Sequence, residues 1–155
     1  MEDKAKTYLK IYFDGGSRGN PGPSAAGAVL YNEKNKKLGE LSEYIGKYTN
    51  NMAEYIALKK ALEAAADYKS KKIMIFTDSK LLYNQVKKKW KIKDSRILKV
   101  YLEISRALGR YDVVDLRHVP RESNTEADSL VNKALDEKEL SYEGESDINF
   151  GKINE

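Results

Sequence analysis

Asp14, Glu54, Asp78 and Asp128 each stand at the boundary of a candidate element, in the segments YFDGGSRGNPGP, TNNMAEY, IFTDS and NTEADSL. Carboxylates gathered by a fold without basic partners repel one another, and a divalent cation offsets that repulsion most readily. The chain has no cysteine and a single histidine, His118. Disulfides, thiolate metal sites and cysteine nucleophiles are thereby excluded, and any metal must be held by oxygen or by His118. An all-oxygen site suits a hard ion such as Mg2+ or Mn2+. Two such ions about 4 Å apart can clamp the attacking water and the leaving oxygen of a phosphodiester in line.

Each acid also has an ordinary reading. Asp14, followed by two glycines, could be a turn residue bonding to its own backbone. Asn51 could cap a helix with Glu54 at the third helical position, a reciprocal capping box. Asp78 could cap a helix beginning at Ser79, and Asp128 lies near a helix start, where the dipole favours an acid. The joint pattern favours a shared site. Asp14 and Asp78 both end apolar strand candidates, sites in α/β sheets form outside the carboxyl ends of strands, and helix N-termini can bring in the other two acids.

Around these acids the chain divides into strands and helices. YLKIYFD alternates and runs into the breaker-rich loop GGSRGNPGPS. AAGAVLYN and KLGELSEYIG, joined by a polar turn, are the next two strands, and such short links favour an antiparallel meander. MAEYIALKKALEAAADYK has helical spacing, with Met52, Tyr55 or Ile56, Leu58 or Lys59, Leu62 and Ala66 as its stripe. KKIMIFTD is a continuous apolar strand of the kind buried on both faces. SKLLYNQVKKKW and SRILKVYLEISRALGRY are helices, DVVDLRHVP is a strand ended by Pro120, and TEADSLVNKALDE is the last helix. This order predicts an α/β fold with a mixed five-stranded sheet, three antiparallel strands then two parallel ones, flanked by helices. Residues 1–137 form one domain, and the polar, acidic and aperiodic stretch 138–155 reads as a flexible tail.

Charge is unevenly spread. The chain carries +4 overall, but from Leu135 to Glu155 seven acids face two lysines, a local −5 that leaves +9 on the rest. A basic body points to a polyanionic partner. No apolar stretch is long enough to span a bilayer and the N-terminus carries no apolar signal segment, so a cytoplasmic protein with no membrane partner is expected.

These segments, in this order from about Tyr8 to Leu135, resemble type 1 ribonuclease H, whose members cut RNA within RNA/DNA hybrids. The resemblance implies a ribonuclease H-like fold, a hybrid substrate, a monomer and two Mg2+ ions, with Mn2+ a possible substitute. It implies that Asp14 bridges both ions, that Glu54 and Asp78 hold the ion on the leaving-group side, and that Asp128 holds the ion that activates water. It also implies that Gly15, Gly16 and Ser17 bring backbone close to the hybrid and that Asn20 touches the DNA strand. Thr49 would hold a DNA phosphate. Asn50 and Asn51 would contact bases and ribose across the wide minor groove of the hybrid, where side chains that both donate and accept are suited. Thr49, Asn50 and Asn51 also read as a plain helix-entry turn.

The chain departs from the family pattern between Pro120 and Asp128. Asn124 is kept and counted among the nucleic-acid contacts. The usual His-Gly loop is missing, and His118 falls before Val119-Pro120, at a strand's end. Arg121 matches the arginine of an archaeal and related bacterial branch. It is expected to hold phosphate or ease product release, because it cannot shuttle a proton at neutral pH. Lys87, Lys88 and Lys89 with Trp90 match the family's basic protrusion in short form and would neutralise phosphates and stack on a sugar or base. They read equally as a solvated helix end with Trp90 as a core anchor. Two rivals to a hybrid-cutting nuclease are a ribonuclease H-like module that binds without cutting and a related nuclease that cuts DNA. The acidic quartet disfavours the first, because a pure binder gains nothing from negative charge in a phosphate groove. The TNNMAEY segment disfavours the second.

Overall fold

A computed structural model of the chain describes residues 8–88 and 91–154, with residues 142–154 as backbone alone. The elements are β1 (Tyr8–Ser17), β2 (Gly22–Tyr31), β3 (Lys37–Tyr48), α1 (Asn50–Ala65), β4 (Lys72–Thr77), α2 (Lys80–Val86), α3 (Ser95–Leu108), β5 (Val113–His118) and α4 (Thr125–Asn154). The sheet order is β3-β2-β1-β4-β5. β1 pairs antiparallel with β2 and β2 with β3, whereas β1 pairs parallel with β4 and β4 with β5. This is the mixed five-stranded sheet anticipated from the sequence.

Alternation along the central strands sends side chains to two layers. Leu9, Ile11 and Phe13 of β1 and Ile73 and Ile75 of β4 pack with Tyr55, Leu58 and Leu62 of α1 and with Ile97 and Ile104 of α3. Burying each such aliphatic or aromatic side chain contributes about 1.5–3 kcal/mol. On the opposite face Ala25 packs with Val131, Ala134 and Leu135 of α4, with Tyr44 of β3 at the edge. The sheet therefore carries Asp14 within β1 and Asp78 just past the end of the neighbouring parallel strand β4.

Three boundaries differ from those read in the sequence. β1 continues three residues beyond Asp14, with Gly15 opposite Ala26 and Ser17 opposite Ser24, because those glycines keep pairing with β2 instead of opening a loop. α2 ends at Val86, and Lys88 takes a positive φ of 63°, so the lysine run does not prolong the helix. Lys89 and Trp90, and the part of the basic-patch reading that falls on them, lie outside the described residues. Finally, α4 runs to Asn154, past the Glu137 at which its apolar pattern stops. No proline interrupts the segment. Its first turns beyond that point are tied to the body by Glu139, paired with Arg18, and by Lys138, whose Nζ lies 4.9 Å from the Tyr44 ring centroid. Among the described residues no helix is long and apolar enough to cross a membrane.

Candidate active site

Two glycines let two helix N-termini reach β1 and β2. A Cβ on Gly15 would lie 2.2 Å from the Ala53 carbonyl oxygen, and one on Gly27 would lie 2.4 Å from the Ala127 carbonyl oxygen. Any side chain at these positions would push α1 or α4 off the sheet. With both absent, the first turns of α1 and α4 press against neighbouring strands on either side of Asp14. The carboxylate of Glu54 arrives with α1 and that of Asp128 with α4. Asp78 follows β4, the parallel neighbour of β1.

The four acids line one cleft of about 430 Å³, together with Gly15, Gly16, Ser17, Asn50 and Arg121. Ligand oxygens of Asp14, Glu54 and Asp78 lie within 4.8 Å of one another. Asp14 is 7% exposed and Glu54 6%, while Asp78 and Asp128 are half-buried. Burial, with the negative charges of Asp78 and Asp128 beside it, raises the Asp14 carboxyl from 3.8 to about 7, despite a hydrogen bond with Glu54 that acts in the opposite sense. Burial and the adjacent Asp14 raise Glu54 well above its ordinary value, with the Gly15 N–H pulling the other way. Glu54 Oε2 is buried with no hydrogen-bond partner among the described residues. An orphaned carboxylate oxygen costs about 1–3 kcal/mol or more. A set of acids this close, partly protonated for want of a counter-charge and all offering oxygen, fits a hard divalent cation.

The ordinary readings of Asp14, Glu54 and Asp78 do not hold. The cap of α1 is Thr49, whose Oγ1 accepts from Met52 N at 3.2 Å. Asn51 is therefore inside the helix and Glu54 lies two residues past the position that would complete a capping box. Ser79 caps α2 by accepting from Leu82 N at 3.1 Å, which leaves Asp78 free of that duty. Asp14 sits in a strand, paired with Gly27, not in a turn. For α1 and α2 neighbouring hydroxyls do the capping, whereas Asp128 lies in the first turn of α4, where the helix dipole does favour an acid.

The rim is polar. Asn50 Oδ1 accepts from Ser17 N at 3.3 Å and Asn20 Oδ1 accepts from Asn50 N at 3.0 Å, so the first loop is laced to the start of α1. Asn20, Thr49 and Asn51 face an adjoining hollow bounded by Lys91 and Lys93. Arg121 is exposed at the cleft edge, with no ion-pair partner among the described residues. His118 lies at the end of β5, its ring 5.9 Å from that of Tyr83 of α2, and is not among the residues lining the cleft. Lys87 and Lys88 are exposed, the former 5.9 Å from the Tyr83 ring centroid.

Asn124 is the clearest correction among the expected nucleic-acid contacts. It is 1% exposed and cannot reach a substrate. Its Nδ2 donates to the Phe13 carbonyl at 2.8 Å and to Asp78 Oδ2 at 3.4 Å. It thus ties the strand carrying Asp14 to Asp78 and to the start of α4. Arg18 and Asn132, which the sequence reading does not single out, also line the cleft. Arg18 stands in the quoted GGSRGNPG segment, and Asn132 falls one helical turn after Asp128, where its Nδ2 reaches Asp128 Oδ2 at 3.5 Å.

Residues 12–134 match a family model described as reverse transcriptase-like. The chain is 43% identical over 129 residues to ribonuclease HI of Halobacterium salinarum, covering 83% of this chain and 65% of that protein. The crystal structure of RNase H1 from that archaeon superposes with a TM-score of 0.82 at 42% identity, over 84% of this chain and 98% of that one. The chain is also 37% identical over 138 residues to a bifunctional protein of Mycobacterium tuberculosis, 88% of this chain but 38% of that protein. It therefore spans less than two thirds of the length of these two curated relatives. LC11-RNase H1, solved in complex with an RNA/DNA hybrid, gives a TM-score of 0.80 at 38% identity over 84% of this chain and 98% of that one. With the sheet order, the acid cluster and these likenesses in agreement, the chain belongs to the type 1 ribonuclease H family.

Proposed function

We propose that this protein is a metal-dependent endoribonuclease that hydrolyses the RNA strand of RNA/DNA hybrids, leaving 5′-phosphate and 3′-hydroxyl ends. It would work in the cytoplasm, as a monomer, with Mg2+ as the natural cofactor. The observation that carries this reading is the acid cluster itself. Three carboxylates with mutually close oxygens, two of them buried and without an ion-pair partner among the described residues, are costly to a protein that only binds nucleic acid.

Asp14, Glu54, Asp78 and Asp128 are the residues that would hold the metal. When bound, two Mg2+ ions supply Lewis-acid charge for the attacking water and for the leaving oxygen of the phosphodiester. Asp14 adjoins each of the other three acids, which supports its assignment as the shared ligand. Asn124 holds Asp78 and the end of β1 in register from beneath, so that the acids keep their spacing without rearrangement. Arg121, exposed at the cleft edge, would take a phosphate next to the cut or the product's new phosphate. Ser17 and Asn50 line the cleft, and Asn20, Thr49 and Asn51 line the hollow beside it, the side from which a minor groove would be read. The Thr49 hydroxyl, which accepts from Met52 N, keeps its own O–H to donate to a phosphate oxygen.

Turnover of labelled RNA/DNA hybrid, duplex DNA and duplex RNA, each with Mg2+ and with a chelator, tests the reading. Mg2+-dependent cleavage of the RNA strand of the hybrid is the expected result. Equal rates on hybrid and all-DNA duplex would reduce the assignment to a general metal nuclease, and tight binding without turnover would make this a binding module.

A further inference from the structure

The cleft holds two arginines in opposite circumstances. Arg121 has no ion-pair partner among the described residues. Arg18 has two: its Nη2 lies 2.7 Å from Asp136 Oδ1 and its Nη1 lies 2.7 Å from Glu139 Oε1, both on α4. Its Nη2 also approaches Asn132 Oδ1 at 3.4 Å. The backbone beneath it is fixed, with Arg18 N donating to Pro23 O at 2.8 Å and the flanking Ser17 and Asn20 tied to Asn50. Arg18 therefore stands on a fixed stretch of backbone at the mouth of the cleft, and the acidic C-terminal stretch supplies its guanidinium's partners.

We propose that Arg18 is a backbone-phosphate contact for the nucleic acid, and that Asp136 and Glu139 compete with the phosphate for it. This rests on the hybrid-binding reading above. A guanidinium prefers the fork of a phosphate, which it can engage through two parallel N–H bonds. Its present partners are easily displaced. The Asp136 and Glu139 side chains are 63% and 58% exposed, and ion pairs in such solvent-exposed settings contribute little. One positive charge also faces two negative ones, so the occupied pair turns a cationic contact into a net anionic patch at the entrance for a polyanion. While a carboxylate keeps the guanidinium, no counterion is released from the nucleic acid at that phosphate, so the competition masks one phosphate contact in the salt dependence of binding.

The test compares four full-length proteins: wild type, Asp136→Asn with Glu139→Gln, Arg18→Gln, and the three changes combined. KM and kcat for a labelled RNA/DNA hybrid are measured in Mg2+ from about 50 to 200 mM KCl, with melting curves to establish folding. Neutralising the two acids is expected to lower KM by about 3–10-fold at the lowest salt. It should steepen the slope of log KM against log salt by roughly 0.9, the increment for one phosphate contact, and change kcat less than about twofold. Arg18→Gln should raise KM, and in that background neutralising the acids should no longer move the slope. An unchanged slope in the Asn/Gln double variant overturns the proposal. So does an equal gain in the Arg18→Gln background, which would reflect removal of bulk negative charge. Should the double variant unfold, Asp136→Asn and Glu139→Gln taken singly must each give part of the shift, and no shift in either overturns it. Wild type that neither binds nor cleaves the hybrid defeats the functional reading itself. Wild type that cleaves while the variants behave alike defeats only this inference.

Discussion

The floor and the rim of the cleft are built on opposite terms. The floor consists of Asp14 and Glu54, nearly inaccessible and packed against Asp78, with no ion-pair partner among the described residues. One carboxylate oxygen there and the Oδ1 of the supporting Asn124 have no hydrogen-bond partner among the described residues. The rim consists of exposed or half-exposed polar groups, Ser17, Asn20, Asn50 and Arg121, of which the first three are joined to one another by hydrogen bonds between the first loop and the start of α1. Buried like charges cost folding free energy and are tolerated where function needs them, whereas surface polar groups cost little. The floor is thus where small chemical changes should have the largest effects on activity, with the stability cost concentrated in the buried pair Asp14 and Glu54, and the rim is where effects should be modest.

A substitution in the floor should do the most damage. Asp78→Asn should lower turnover by ~10²–10³-fold or more, the scale set by removing one preorganised charge-stabilising group. Because Ser79 and not Asp78 caps α2, melting temperature should stay within a few degrees of wild type. Near-normal turnover in Mg2+ would remove Asp78 from the metal site. A large loss of stability with activity kept would instead make it a structural residue.

Next comes the pH dependence of the metal-free protein. The folded-state values of Asp14 and Glu54 lie above their unfolded ones, with Asp14 at about 7. Between about pH 4 and 7 the folded protein therefore binds more protons than the unfolded chain, and stability falls as pH rises through that window. Melting in chelator should be roughly 5–10 °C lower at about pH 8 than at about pH 5.5. Mg2+ should raise it more at the higher pH, because metal binding needs deprotonated carboxylates. An Asp14→Asn variant should flatten the profile. A wild-type profile already flat would show that the floor is not strained by charge.

Weaker effects are expected at the rim. Arg121→Ala should lower kcat by about 3–10-fold, against less than about twofold for His118→Ala, on the scale of one exposed charge contact. Arg121 lines the cleft, whereas His118 faces Tyr83. A greater loss at His118, measured on the same hybrid, would reverse the two roles. The slightest change is expected from Lys87→Ala with Lys88→Ala, which should raise KM a little and lower the log–log salt slope by no more than about 0.9 for each phosphate that is no longer neutralised. An unchanged slope would mean that both lysines face bulk solvent.

Much of this molecule was legible in the chain. The alternation in YLKIYFD, the unbroken apolar run in KKIMIFTD and the helical spacing after TNNM each report a local periodicity, and such periodicity survives folding because burial produces it. The four acids and their order were readable for a related reason, since residue type and flanking pattern are sequence properties. The capping of α1 was not. Thr49 and Asn51 are both competent caps, and only the packing of α1 against β1 selects which turn comes first. Asn124 illustrates the same limit. As one asparagine in a polar segment it reads as a surface contact, and only the convergence of β1, Asp78 and α4 buries it.

The long-range contacts lay furthest from what the chain could disclose. Nothing local to GGSRGN or to KALDEKEL indicates that Arg18 would meet Asp136 and Glu139, which lie at the far end of the chain. Gly15 and Gly27 look like ordinary breakers until the Ala53 and Ala127 carbonyls are seen within 2.4 Å of where a Cβ would stand. The elements, the α/β class and the identity of the acids follow from residue order, because each rests on patterns within a few turns of chain. Folding in three dimensions settles the rest: which acids lie close enough to share a cation, which asparagine is buried among them and which arginine is paired with acids of the last helix. Those outcomes depend on how closely two helix ends can approach two strands, a distance that no local pattern encodes.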